Sequence, residues 1–182
     1  MTIPTESTGE RSPEQLTQTL DDNARKFTVD AIDATLYNTP ESTSYLMSTD
    51  WLVIGESEET KVVHKKFSSD KPEILLIKKV MKDGKRTSDK KKLQEEEYSE
   101  LVTKSKVHSE KIRKEFTYPQ HGIDFSMKFD QFTNSTLCVL EVDAPTEEER
   151  ASFDYQSFPA KLSEVTGNLQ YYGFRVASLN IQ

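Results

Sequence analysis

Glu141 and Asp143 stand two residues apart in the run Leu137-Cys138-Val139-Leu140-Glu141-Val142-Asp143. Successive side chains of a strand point to opposite sides, so Leu137, Val139, Glu141 and Asp143 share one side and Cys138, Leu140 and Val142 the other. Two neighbouring carboxylates repel unless a cation or basic groups sit opposite, and together they offer the oxygen ligands that a hard divalent cation needs. The plain alternative is a solvent-facing strand, the commoner fate of such a pair. A second concentration of charge has the opposite sign. Between Lys61 and Lys92 lie 12 of the 24 Lys and Arg residues, with only four acids, Asp70, Glu73, Asp83 and Asp89. Charge segregated in this way predicts a positive surface or pocket within an acidic protein.

The elements that must position these groups follow from periodicity. Residues 1–24 divide into a polar tail and a helix, predicted over Ser12 to Asp22 from the Ser12 N-cap, Pro13 and the capping-box residue Gln15. Residues 25–182 form one domain. Arg25 to Ile32 reads as a strand with Phe27, Val29 and Ala31 opposite Lys26. The 33–50 region is ambiguous, and Trp51 to Ile54 reads as a strand. Val62 to Phe67 alternates, with His64 and Lys66 on one face and Val63 and Phe67 on the other. In the run from Glu73 to Met81, Leu75 and Ile77 oppose Leu76 and Lys78. Asp83-Gly84 marks a tight hairpin into a charged strand from Arg86 to Leu93. A helix from Gln94 to about Lys104 presents Tyr98, Leu101 and Val102. Lys111 to Thr117 and Phe125 to Phe132 read as an antiparallel pair, and Thr146 with Glu149 forms a capping box after Pro145. The fold class is therefore α+β, an antiparallel sheet of about eight strands with flanking helices. In an open sheet the charged faces would be solvated; in a closed antiparallel β-barrel they would line a lumen able to hold one small ligand.

Composition narrows the partners. A formal net charge of −7 argues against general nucleic-acid binding and against an anionic membrane surface. The single Cys138 excludes an intrachain disulfide, and no apolar run reaches the length of a membrane span. A soluble cytoplasmic protein is the expectation. Neither a Ser-His-Asp spacing, a zinc cluster nor a phosphate-binding Gly-rich loop occurs.

With the strands placed, the chain resembles the CYTH superfamily, the triphosphate tunnel metalloenzymes, over about Arg25 to Ala177. Leu140-Glu141-Val142-Asp143 is similar to the family's strand of alternating acids. Glu164-Val165-Thr166 and Tyr171-Tyr172-Gly173-Phe174-Arg175-Val176-Ala177 resemble its ending of Glu-Val-Thr and Tyr-x-Asn-x-x-Leu-Ala. Phe129-Asp130-Gln131-Phe132 resembles its Val-Asp-x-Phe strand, Ile77-Lys78 its Ile-Lys strand, and Val63-His64-Lys65-Lys66 its basic Val-Arg-x-Arg strand. The opening Glu-x-Glu-x-Lys corresponds to Asp22-Asn23-Ala24-Arg25-Lys26, with the second acid lost at Ala24. Arg-x-Glu-x-Glu becomes Arg86-Thr87-Ser88-Asp89-Lys90, and a later Lys-x-Arg pair becomes Lys114-Glu115-Phe116.

The resemblance implies a tunnel in which acids hold Mg²⁺ or Mn²⁺ while basic side chains grip a triphosphate. It assigns catalysis to Lys26, Glu141 and Asp143, substrate binding to Lys26, His64, Lys66, Lys78, Arg86 and Lys114, and metal ligation to Glu141, Asp143 and Glu164. Asp130 is a further acid, either a metal ligand or an ion-pair partner for the basic wall. Lys90-Lys91-Lys92 reads as a solvated edge, and Tyr171, Tyr172 and Phe174 as packing that closes the barrel mouth. The implied activity is a metal-dependent phosphohydrolase acting on inorganic triphosphate or a nucleoside or organic triphosphate. The alternative is a catalytically degenerate tunnel that binds nucleotide, polyphosphate or another anion, or a partner protein, without hydrolysis. A third reading is a partner-binding module that docks through the helix at Ser12 to Asp22. A homodimer is allowed under all three.

Overall fold

A computed structural model of the chain describes residues 24–55, 57–82 and 85–178. The polar tail, the helix expected over Ser12 to Asp22 and the turn residues Asp83 and Gly84 lie outside the described residues. Nine strands carry the fold. They are β1 (Arg25–Ile32), β2 (Thr43–Ile54), β3 (Glu58–Phe67), β4 (Glu73–Lys82), β5 (Lys85–Lys92), β6 (Val107–Gln120), β7 (Ile123–Phe132), β8 (Cys138–Asp143) and β9 (Ala160–Glu164). Among the described residues three short α-helices accompany them: α1 (Glu95–Val102), α2 (Glu147–Ala151) and α3 (Gly173–Ser178). All the strand pairings are antiparallel, in the order β5-β4-β3-β2-β6-β7-β8-β1-β9.

Local chemistry explains the joints. Lys82 pairs with Lys85, so only two residues join β4 to β5, the connection length expected from the sequence. The β6–β7 hairpin turns at His121 (φ 53°) and Gly122 (φ 77°), both in the left-handed region that matches the twist of the flanking strands. α1 opens with a capping box between Gln94 and Glu97, and α2 with one between Thr146 and Glu149, so orphan N–H groups at both starts are satisfied. The strand from Thr43 to Ile54 resolves the ambiguous 33–50 region, and β9 is a strand that alternation did not anticipate.

The sheet is curled, and its outer face has two apolar covers. Phe27, Phe125, Met127, Leu140 and Val142, all fully buried, pack under Phe153 and Phe158 beyond α2. On the other half, Val62, Ile74 and Leu93 pack under Tyr98 and Leu101 of α1. The inner face is closed at one end by α3, which sets Phe174 against Trp51 and Val176 against Phe132 and Val139. Gly173 allows a close approach there, where a Cβ would meet the Trp51 ring at 3.1 Å. The hydrogen-bonded ladder ends at β5 and β9. Side chains from β5 and from β1 nonetheless line one cavity, so the two ends of the sheet curl toward the same space. Where a closed barrel of about eight strands was expected, the structure thus shows a nine-stranded antiparallel sheet with two edges in its ladder. Among the described residues no helix is long and apolar enough to cross a membrane.

Candidate functional site

The cavity inside the curl has a volume of about 450 Å³. Among the described residues its wall carries seven cationic side chains, Lys26, Lys61, Lys79, Lys90, Lys111, Arg113 and Lys128, against three carboxylates, Glu59, Asp130 and Glu141. That is an excess of four positive charges inside a chain whose net charge is −7. Strand pairing explains the gathering. Lys26 on β1 lies opposite Glu141 on β8, Lys128 on β7 lies opposite the same Glu141, and Arg113 on β6 lies opposite Asp130 on β7. Cross-strand neighbours on one face stand within reach of each other, so opposite charges at these positions form one network.

Lys26 Nζ donates to Glu141 Oε1 at 2.9 Å. Arg113 Nη2 lies 3.5 Å from Glu141 Oε2, and the same guanidinium spans Asp130 with two bonds of 2.6 Å. Lys111 Nζ also donates to Asp130. Asp130 is 1% exposed, so losing both of these partners would strand a buried charge, at a cost of about 3–5 kcal/mol. On the opposite wall Glu59 is bracketed by Lys61 at 2.6 Å and Lys79 at 3.8 Å. Burial and the neighbouring Arg113 push the Lys111 ammonium down to about 8, against the pull of Asp130 and Glu141. Burial opposes the charge of Arg113 as well, but Asp130 and Glu141 outweigh it and hold that group well above its ordinary value. Lys90 and Lys128 line the cavity with no carboxylate at ion-pair distance among the described residues.

Of the residues expected at the site, Lys26 and Glu141 stand in this cavity. The others on β3, β4 and β6 face outward, one residue out of phase. His64 is buried against Tyr98 of α1, with ring centroids 4.9 Å apart. Lys66 shares the outward face with His64 and is not part of the lining. Lys78 pairs with Glu58 at the surface, and Lys114 sits 3.9 Å from the centroid of the Tyr37 ring. A one-residue shift of phase moves every side chain of a strand to the other face. The lumen is lined instead by Glu59, Lys61 and Val63 of β3, Ile77 and Lys79 of β4, and Ser109, Lys111 and Arg113 of β6. Lys114, from the pair sought at Lys114-Glu115-Phe116, is thus outside the lumen, while a lysine and an arginine at the same spacing, Lys111-Ile112-Arg113, line it three residues earlier. Their signal was present in the sequence, as a lysine and an arginine at strand spacing. The side chain of Arg86 lies outside the described residues. Ser88 and Lys90, where acids of the resembled pattern were read as lost, do line the cavity.

The expected metal ligands do not converge. Asp143 lies beyond the cavity, accepting from its neighbour's Ala144 N–H at 2.9 Å and lying 3.5 Å from Arg150. Glu164 is on the outer face, clamped by Arg25 through bonds of 2.9 and 2.8 Å and by the Thr166 hydroxyl, and the Arg25 contact holds its carboxyl below the usual range. Among the described residues no three His, Cys, Asp or Glu side chains group so as to hold a metal ion. Asp130 takes the second of its two expected roles, as partner to the basic wall. The donor set therefore does not fit a resident Mg²⁺ or Mn²⁺, because among the described residues each lumenal carboxylate lies within ion-pair distance of two cations.

No family model and no curated protein matches the sequence. Solved structures do match in shape. One is described as the hypothetical protein NE1496, with a TM-score of 0.58 and 19% identity, covering 85% of this chain and 95% of that chain. Another, described as the inorganic triphosphatase NE1496, gives a TM-score of 0.59 at 18% identity over the same shares. Likeness at that level of identity shows the fold alone: this chain shares its fold with those two structures, in line with the fold expected from the residues.

Proposed function

We propose that this protein binds a linear phosphate anion, inorganic triphosphate or the triphosphate of an organic molecule, within the curled sheet. The observation that carries this reading is the excess of four positive charges on the wall of a single cavity of about 450 Å³. That volume falls within the range of about 300–1,000 Å³ for small-molecule sites, but a wall this cationic suits a multiply charged anion rather than an apolar ligand. Lys61, Lys79 and Lys90 on one side, with Lys26, Lys111, Arg113 and Lys128 on the other, would take successive phosphoryl oxygens by charge-assisted hydrogen bonds. Glu141 and Asp130 would orient Lys26 and Arg113 toward the anion rather than touch it. A tunnel closed between β5 and β9 belongs to the same reading, because it would shield those bonds from water.

A second reading, hydrolysis of the bound phosphoanhydride, draws support from a structural neighbour described as an inorganic triphosphatase. One experiment weighs the two. Calorimetric titration with tripolyphosphate and ATP is run beside phosphate release with Mg²⁺ or Mn²⁺, for the native chain and for Glu141→Gln. Saturable binding without turnover is the expected outcome. Turnover that Glu141→Gln abolishes would establish the hydrolytic reading instead. No saturable binding of either anion would end both.

A further inference from the structure

Every carboxylate on the cavity wall is already committed to cations of the chain itself: Glu59 to Lys61 and Lys79, Glu141 to Lys26 and Arg113, Asp130 to Lys111 and Arg113. A divalent cation entering this space would have to displace an ammonium or guanidinium from each acid it ligates, and would then face the displaced charge at close range. The cavity also holds two ammonium groups that no carboxylate neutralises at ion-pair distance, Lys90 on β5 and Lys128 on β7. These two strands are far apart in the ladder, so the uncompensated charges approach the cavity from different walls. We infer that Lys90 and Lys128, with the Lys61-Glu59-Lys79 cluster, supply the counter-charge that a divalent metal would otherwise bring, so that the anion binds without any metal. This inference rests on the proposed binding of a linear phosphate anion. It adds that the ligand is the metal-free anion and that metal competes for the ligand rather than assisting it. A metal complex of triphosphate carries less negative charge than bare triphosphate and meets a wall already in positive excess.

The single tryptophan, Trp51, lines the cavity and reports occupancy by its fluorescence. Tripolyphosphate is titrated into the full-length protein in EDTA, then at the same total concentrations with Mg²⁺ or Mn²⁺, with calorimetry as a second readout. Mn²⁺ alone is followed by electron paramagnetic resonance. Binding in EDTA, apparent affinity lowered by Mg²⁺, and no saturable uptake of Mn²⁺ by the anion-free protein are expected. Lys90→Glu, on an exposed strand position, should weaken binding in EDTA by about tenfold or more, and Lys128→Gln should weaken it in the same direction. Binding that appears only with metal, or saturable Mn²⁺ uptake by the anion-free protein, overturns this inference and leaves the proposed function standing. Full affinity in Lys90→Glu together with Lys128→Gln overturns it as well. No binding under any condition overturns the proposed function and this inference together.

Discussion

Lys78 and Lys79 are neighbours in sequence that differ in everything the site requires. Lys79 lines the cavity beside Glu59, whereas Lys78 reaches out to Glu58 in a half-exposed pair. Lys79→Ala should therefore weaken tripolyphosphate binding by about tenfold, as expected for a charge-assisted hydrogen bond worth about 1.5–3 kcal/mol. Lys78→Ala should leave the affinity within about twofold, since exposed ion pairs contribute about 0–1 kcal/mol. Parallel calorimetric titrations of the two variants check the phase of β4 directly. Lys111 gives a pH dependence with a definite sign. Its ammonium is pushed down to about 8, so it loses its proton as pH rises through that value. An anion favours the protonated form, so affinity should fall between pH 7 and pH 9.5, and binding near pH 8–9 should take up protons. Calorimetry in buffers of different ionisation enthalpy measures that uptake, and an affinity that is flat over this range would contradict it.

At the scale of the element, α1 determines which face of β3 and β4 becomes the lumen. By covering Val62, Ile74 and Leu93 it makes the other face the inner one, although that face also carries Val63 and Ile77. Apolar residues on both faces leave alternation without a phase, and the polar His64, Ser48 and Asp50 buried on the outward side complete the ambiguity. β1 has no such conflict, since Phe27 and Val29 oppose Lys26, and on β8 the pair Glu141 and Asp143 marks the phase against Leu140 and Val142 although Val139 lies on the lumenal face. That is why Lys26 and Glu141 were legible in the sequence while the phase of Lys61 and Lys79 was not; Lys111 and Arg113 carried a signal at strand spacing that was read three residues too late. The seat of α1 also titrates. Burial first, then the charge of Lys66, holds His64 below its ordinary value, while Glu95 and Asp50 pull the other way. The unfolded chain therefore takes up the proton more readily, so stability from this contact is present above the ordinary histidine range and is lost as pH falls through it. Hydrogen exchange of the Tyr98 and Leu101 amides, corrected for intrinsic rates, should speed up between pH 7.5 and pH 5, and His64→Leu should remove most of that difference.

For the whole molecule, the antiparallel sheet was accessible from sequence because most strands are long and joined by short turns of recognisable chemistry, as at Asp83-Gly84 and His121-Gly122, whereas the curl was implied only by the family resemblance. β9 was not, because five residues with mixed exposure carry too little periodicity to register. Its presence leaves the ladder with a short strand at one end and β5 at the other. An edge strand offers unpaired backbone groups to any neighbouring chain, and β5 answers with Lys90, Lys91 and Lys92 among its eight residues. A second molecule adding its own β5 there would bring like charges face to face. Where β5 and β9 are not joined, a cationic edge of this kind opposes growth of the sheet into its neighbours. Replacing Lys91 and Lys92 by threonine, which keeps strand propensity and removes the repulsion, should produce higher-order association by light scattering. The native protein should show the same tendency as salt approaches 1 M, where the screening length contracts to about 3 Å.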